Sequence, residues 1–316
     1  RLGRGERVQP RHLAELQRTL RRVQNLIAFD QLLKPRLQGE EAAVYSAYLA
    51  EIQPAILSLA LFYHKRDTMR AAYFSYFLSR YMAPRHMLVH SIQGVLLDYI
   101  RRDNLYCRIN ALQALYRFGS PESILAALEI QDRDEVFLHE KILTEGLLSF
   151  TGDHRALIGL LWARLDEFSE RTQLAISNYI RFQSGEYTEE MLSILLDEKW
   201  GKELRLSAIR YFGRYRYDPA LEPLLAFARQ RDPEQWEYAT VSVSALARYP
   251  EERVVDVLVG ALHSSNWYVR YAAAASLEAQ QVDYPALLDV MAGNDRYARE
   301  MMMYRLENRR TQKAGV

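Results

Sequence analysis

Cysteine is almost missing from this chain of 316 residues, with Cys107 its sole example. That excludes an intrachain disulfide and any zinc cluster built on cysteine, and it favours a reducing compartment over secretion. Long hydrophobic runs are missing as well. The longest, from Ala55 to Tyr63, is interrupted by Ser58 and stops at His64, short of the roughly 18 residues that a membrane-spanning helix needs. There is no Gly-rich phosphate loop, nucleophile elbow or dinucleotide fingerprint, so the usual signatures of nucleotide-dependent and hydrolytic chemistry are absent. Nor does any segment show the two-residue alternation of a strand. Lysine is scarce, supplying six of the 41 basic residues, a skew read as coding bias.

What is present suffices for folding. With 49% hydrophobic and 26% charged side chains, the chain is too apolar to be disordered and too long for one ordinary core. The net charge of +1 hides an asymmetry: residues 1–22 hold seven arginines against Glu6 and Glu15, a local +5 that leaves the remainder near −4. From Pro10 to about Leu37, Leu13, Leu16, Leu20, Val23 and Ile27 step by three and four, predicting an amphipathic helix with a basic opposite face. A solvated helix face explains that charge; membrane-surface contact through residues 1–22 is the second reading, since clustered arginines are drawn to anionic headgroups. The sequence starts at Arg1 rather than Met, which leaves room for an upstream leader or anchor. A second helix is expected over Glu41 to His64, packing on the first as a cap.

From Arg70 onward the pattern is periodic. Aligned on Arg270, equivalent positions fall at Arg108, Glu140, Thr172, Arg205 and Ala239, spaced by 32, 32, 33, 34 and 31 residues up to Arg270. Three residues after each anchor stand Ala111, Leu143, Ala175, Ala208, Ser242 and Ala273, mostly small. Seven after stand Leu115, Leu147, Tyr179, Phe212, Leu246 and Leu277, and ten after stand Phe118, Phe150, Phe182, Tyr215, Tyr249 and Gln280. Offsets of three, seven and ten share one helix face. Each helix is followed by turn residues, such as Gly119 to Pro121 or Asp218-Pro219, and then by a second apolar helix. A degenerate earlier unit fits Arg70, Tyr73, Phe74 and Phe77, with a turn at Ala83-Pro84 and a helix from Met87 to Ile100. Two helices per unit of about 32 residues describe an all-α solenoid.

The runs Val269-Arg270 to Leu277 and Leu204-Arg205 to Gly213 resemble the first helix of HEAT repeats, in the short flavour first noted in phycobilisome lyases. The resemblance covers about residues 70–305 and implies a right-handed α-solenoid (superhelix) of HEAT-like two-helix repeats with an N-terminal helical cap. It divides the chain into a basic arm and capping helices (1–66), a solenoid of about seven units (67–306) and a polar tail (307–316). The segment Asn294 to Leu306 is similar to the end of bacterial HEAT-repeat proteins with an N-terminal membrane anchor. The resemblance also implies that the repeated arginine pairs with acidic or carbonyl groups of the adjoining unit, and that the second helices line a concave surface.

Candidate chemistry is thin. His86 and His90 have the i, i+4 spacing of a helical metal site, but no glutamate lies between them. Trp162 and Asp166, four apart, with Arg205 downstream, faintly resemble HEAT-like alkylpurine DNA glycosylases; packing and solvation explain the same residues. Trp200, Trp236 and Trp267 sit near repeat junctions and are expected to pack there. First helices carry the arginines, including Arg181, Arg210, Arg214 and Arg248. Second helices carry the acids, which disfavours nucleic acid in a second-helix groove. The resulting expectation is a cytoplasmic, non-enzymatic scaffold, without cofactor, metal or catalytic residues, tethered to the inner face of a membrane by a segment upstream. It would bind a protein partner through Glu190, Glu222, Arg229, Asp256 and His263 on second helices. The alternative is an enzyme on the same scaffold, a glycosylase or a bilin lyase.

Overall fold

The computed structural model describes residues 8–66, 68–81, 89–134, 137–282 and 287–314, and among them every regular element is helical. The helices are α1 (Pro10–Leu20), α2 (Val23–Arg36), α3 (Ala42–Glu51), α4 (Gln53–His64), α5 (Thr68–Tyr81), α6 (Val89–Ile100), α7 (Leu105–Phe118), α8 (Pro121–Asp132), α9 (Glu140–Leu148) and α10 (His154–Trp162). They continue as α11 (Glu170–Gln183), α12 (Thr188–Leu196), α13 (Lys202–Phe212), α14 (Leu221–Ala228), α15 (Trp236–Ala245), α16 (Glu252–Ala261), α17 (Trp267–Ala279), α18 (Leu288–Ala292) and α19 (Arg296–Ala314). Two compact units result, one up to Tyr179 and one from Ile180, so the boundary drawn in the sequence after residue 66 falls inside the first.

Within each unit the helices form the two rows of an α-solenoid. In the first unit α2, α5, α7 and α9 follow one another in one row and α4, α6, α8 and α10 in the other; in the second, α13, α15, α17 and α19 lie side by side, with α14 beside α16. The packing rule read from the sequence explains the contact. Ala111, Ala208, Ser242 and Ala273, three residues after the anchors, are all buried and let neighbouring backbones approach. Leu115, Leu147, Tyr179, Phe212, Leu246 and Leu277, seven after, are each fully enclosed.

The N-terminal part differs from the two long helices expected. The stripe from Leu13 to Ile27 is divided at Arg22, whose extended backbone (φ −88°, ψ 121°) ends α1, while the Asn25 side chain donates to the Thr19 carbonyl at 2.9 Å. The second expected helix bends by 61° at Ile52, between α3 and α4, where Pro54 enters the first turn of α4 and can donate no backbone hydrogen bond. Among the described residues no single helix is long and apolar enough to cross a membrane; only the bent pair α3 and α4 passes by length and composition. Both helices are packed here, with Leu49, Ile52, Ile56, Leu59 and Tyr63 buried. The residues after 306 continue α19 as far as Ala314.

The anchor arginines serve a common structural purpose. The last carbonyls of any helix lack partners within it and carry partial negative charge. Arg108 Nε donates to the Arg102 carbonyl just after α6, Arg205 Nε to the Leu195 carbonyl of α12 at 3.0 Å, and Arg270 to the Ser264 and Ser265 carbonyls after α16 at 2.6 and 3.0 Å. Arg299 does the same with Gly293 after α18, at 2.8 Å, which makes α19 a further anchored first helix. Each of these arginines therefore fastens a first helix to the end of the second helix before it. At Thr172 the hydroxyl donates instead to Asp132, the last residue of α8, at 2.6 Å.

A second tie recurs through aromatic hydroxyls. Tyr211 accepts from the Tyr187 N–H at the head of α12 at 3.0 Å, and Tyr249 accepts from the Tyr217 N–H before α14 at 3.2 Å. Tyr179 bonds His154, the first residue of α10, at 2.6 Å.

Cys107, one residue before the buried Arg108, is fully enclosed, and burial pushes its thiol pKa up. It is expected to resist a thiol-specific disulfide reagent at mildly alkaline pH in the native protein and to react at once in denaturant. Fast labelling of the native chain would contradict the packing of α7.

Candidate functional site

The five residues singled out on second helices are placed in the second unit. Glu190 is half-buried on α12; Glu222 opens α14 and is exposed; Arg229 caps the end of α14 and is exposed; Asp256 is exposed on α16; and His263 follows α16. Two of them are held by other residues. Glu222 accepts from Arg253, which also reaches Glu251 at 3.1 Å; Arg216 in turn bridges Glu251 at 3.3 Å and Asp218 at 2.9 Å. This edge is a ladder of alternating charge that neutralises itself. His263 Nδ1 lies 2.8 Å from Asp295, at the head of α19. Among the described residues no ion pair gathers Glu190, Arg229 and Asp256 with these two into a single cluster.

The hydrogen bond with His263, reinforced by the N–H of Ala298, holds the Asp295 carboxyl below its ordinary value of 3.8. A lowered folded-state value means stability that is present above the unfolded value and lost as pH falls through the folded one. Between about pH 5 and pH 2 wild-type protein is expected to lose more resistance to urea than Asp295→Asn. Parallel losses would remove the His263–Asp295 contact from the account.

The larger exposed feature lies on first helices. Trp267, expected to pack at a junction, is 50% exposed; its neighbours Tyr268, Tyr271 and Tyr297 are 56%, 37% and 66% exposed. Trp236, at the head of α15, stacks on Tyr268 at 5.2 Å. Trp267 meets Tyr268 edge-on at 5.3 Å and stacks on Tyr271 at 5.1 Å; Arg305 covers Tyr271 at 4.5 Å. Arg270 lies over Tyr297 at 5.4 Å. These residues form one aromatic and guanidinium cluster over α15, α17 and α19.

Helix phase explains the exposure. Asn266 caps α17 by accepting from the Tyr268 N–H at 2.8 Å, and Asp295 caps α19 by accepting from the Tyr297 N–H at 3.0 Å. In both helices the anchor arginine, two residues after the tyrosine, turns inward to the preceding helix end. Two residues are about 200° of helix rotation, so the tyrosine faces solvent. Tyr106, two before Arg108 and behind the cap Asn104, is 70% exposed for the same reason. The signal was therefore in the sequence: an Asn or Asp, then Tyr two residues on, then Arg two further, at Asn104, Asn266 and Asp295.

The enzyme-like pairs do not assemble. Helix α10 ends at Trp162, Arg164 leaves helical geometry (φ −126°, ψ 19°), and Asp166 lies exposed in a following 3-10 turn, so the two do not share a helix face. Arg205 is engaged by the Leu195 carbonyl and by the Tyr238 ring at 5.4 Å. His86 lies outside the described residues, and with it the proposed pairing to His90 and the turn at Ala83-Pro84. Among the described residues no group of three or more His, Cys, Asp or Glu is gathered to hold a metal ion.

No curated protein matches this chain. Residues 188–278, from α12 to near the end of α17, match the family model described as HEAT repeats. With that match and the two-helix register of its helices, the chain is an α-solenoid that contains HEAT repeats.

Proposed function

We propose that the protein is a non-enzymatic scaffold that captures a protein partner, and that the aromatic and arginine cluster of α15, α17 and α19 is where the partner docks. HEAT repeats commonly serve as protein-interaction scaffolds. The carrying observation is the exposure of Trp267, Tyr268, Tyr271 and Tyr297 beside Arg270 and Arg305. Trp, Tyr and Arg are the residues that concentrate binding energy in protein interfaces, and a contiguous exposed patch of them is seldom left without use. The second-helix face with Glu190, Glu222, Arg229, Asp256 and His263 is the competing docking surface. The ladder through Arg253 weighs against it, because Glu222 already spends its charge inside the molecule.

The test compares two variants as baits in affinity capture from the source cell, with the captured protein identified from wild type. Trp267→Ala/Tyr271→Ala is expected to weaken its binding by at least about 30-fold, as removal of an interface anchor does. Glu222→Lys/Asp256→Lys is expected to change it by less than about threefold, the scale of exposed charge effects. The opposite ranking would move the site to the second helices.

A cytoplasmic location beside a membrane belongs to the same proposal. On α1 and just after it, Arg11, Arg18, Arg21 and Arg22 are all exposed. Sedimentation with phosphatidylserine vesicles that is lost at high salt supports it, and retention in the supernatant at low salt removes it.

A further inference from the structure

In the second unit four arginines with no carboxylate among them converge on one cleft. Arg181 at the end of α11, Arg210 and Arg214 at the end of α13, and Arg248 after α15 line a cavity of about 350 Å³, together with Phe182 and Ser244. Gly213 in its lining lies close against the next first helix: a Cβ there would come within 3.2 Å of the Ala245 backbone. Phe182, expected to face the core ten residues after Thr172, is instead 44% exposed, with Arg181 over its ring at 4.8 Å and Arg214 at 5.3 Å. Arg181 Nε is buried and has no hydrogen-bond partner. Burial first, then the Arg210 and Arg214 cations, lower the pKa of Arg181.

Helix ends favour arginine through the backbone dipole, and that accounts for one such residue per helix. It does not account for four guanidinium groups facing one cavity, with a buried N–H left unbonded. Among the described residues none of the four forms an ion pair. Such a cluster is costly until an anion enters it.

We propose that this cleft binds the phosphate monoester of a phosphorylated serine or threonine on the protein partner. Planar guanidinium forks match phosphate oxygens in pairs, and a monoester brings close to two charges and three acceptors on one small group. A nucleic-acid strand needs cations continuing along its backbone, whereas the next arginines, Arg216 and Arg253, are already tied to Asp218, Glu251 and Glu222. Carboxylates of an acidic segment carry one charge each and fill the cluster less completely. This site rests on the reading of the chain as a protein-binding scaffold, but its test needs no partner.

The probe is N-acetyl-O-phosphoserine amide, titrated into the full chain by calorimetry at constant ionic strength. Saturable binding is expected, at least about 10-fold tighter than for the unphosphorylated amide, strengthening as pH rises through about 6 when the second proton leaves the phosphate. Arg210→Gln/Arg214→Gln is expected to lose at least about 10-fold in affinity, with an unchanged or raised melting temperature because like charges have been removed. Arg216→Gln is expected to bind as wild type does. Absence of saturable binding, or equal binding by the double variant, overturns the site. Tighter binding of an oligothymidylate or of phosphatidylserine vesicles through the same arginines overturns the phosphoprotein assignment. If the phosphoserine probe fails while partner capture still depends on Trp267, the scaffold reading stands and this cleft is removed from it.

Discussion

Replacing Arg108 with leucine is expected to destabilise the head of α7 by about 3–5 kcal/mol, the cost of breaking a buried charged pair. Arg108 is only 2% exposed, sits 2.8 Å from Asp134, and gives its Nε proton to the Arg102 carbonyl. Leucine removes the cation from beside a largely covered carboxylate and returns the end of α6 to an unsatisfied state. Cys107 makes the effect readable in place, because its labelling requires α7 to open locally. About 3 kcal/mol corresponds to labelling faster by more than 100-fold in the native protein. A change below about threefold would mean that the Arg108 contacts contribute nothing net. Arg205→Leu is expected to cost less, about 1–2 kcal/mol, since it loses a carbonyl bond and a ring contact rather than a buried charged pair.

Phe212→Ala is the counterpart in the second unit, with an expected loss of about 3–5 kcal/mol in urea unfolding. The ring is fully buried, lies edge-on to Tyr211 at 5.8 Å and stacks near Tyr217 at 6.2 Å. Truncation removes that contact and leaves a void between first and second helices that α13 is too tightly held to fill. The neighbouring Tyr211→Phe deletes only a hydroxyl, leaves the Tyr187 N–H to find another acceptor, and is expected to cost about 1 kcal/mol. Equal costs for the two would mean that the offset-seven position is not the centre of the packing.

Both predictions follow from a register visible in the sequence. A residue seven positions after an anchor must point into the stack, because three helical offsets repeat in six units, and the structure buries all six. The anchor arginine was legible for the same reason, and so was its carbonyl partner by resemblance. The offset of ten was less dependable: at Phe182 the end of α11 turns its ring toward Arg181 and Arg214. The apolar stripe continues across the breaks at Arg22 and Ile52, so periodicity alone cannot show the change of direction there.

The candidate surface was less legible. Residue type assigns Trp267 to packing, but as the first residue of α17, directly after the cap Asn266, it is half exposed. The hydroxyl ties of Tyr179, Tyr211 and Tyr249 join residues 24 to 32 positions apart, where no local spacing could announce them. The four-arginine cleft draws on the ends of α11, α13 and α15, whose convergence is a property of the stack rather than of any one segment.

Hydrogen exchange of the protein with and without its captured partner tests the central claim most directly, because it reports which helices the partner covers. New protection is expected at the heads of α15, α17 and α19, around Trp236, Trp267 to Tyr271 and Tyr297, with α12, α14 and α16 little changed. Protection confined to α12, α14 and α16 would contradict it.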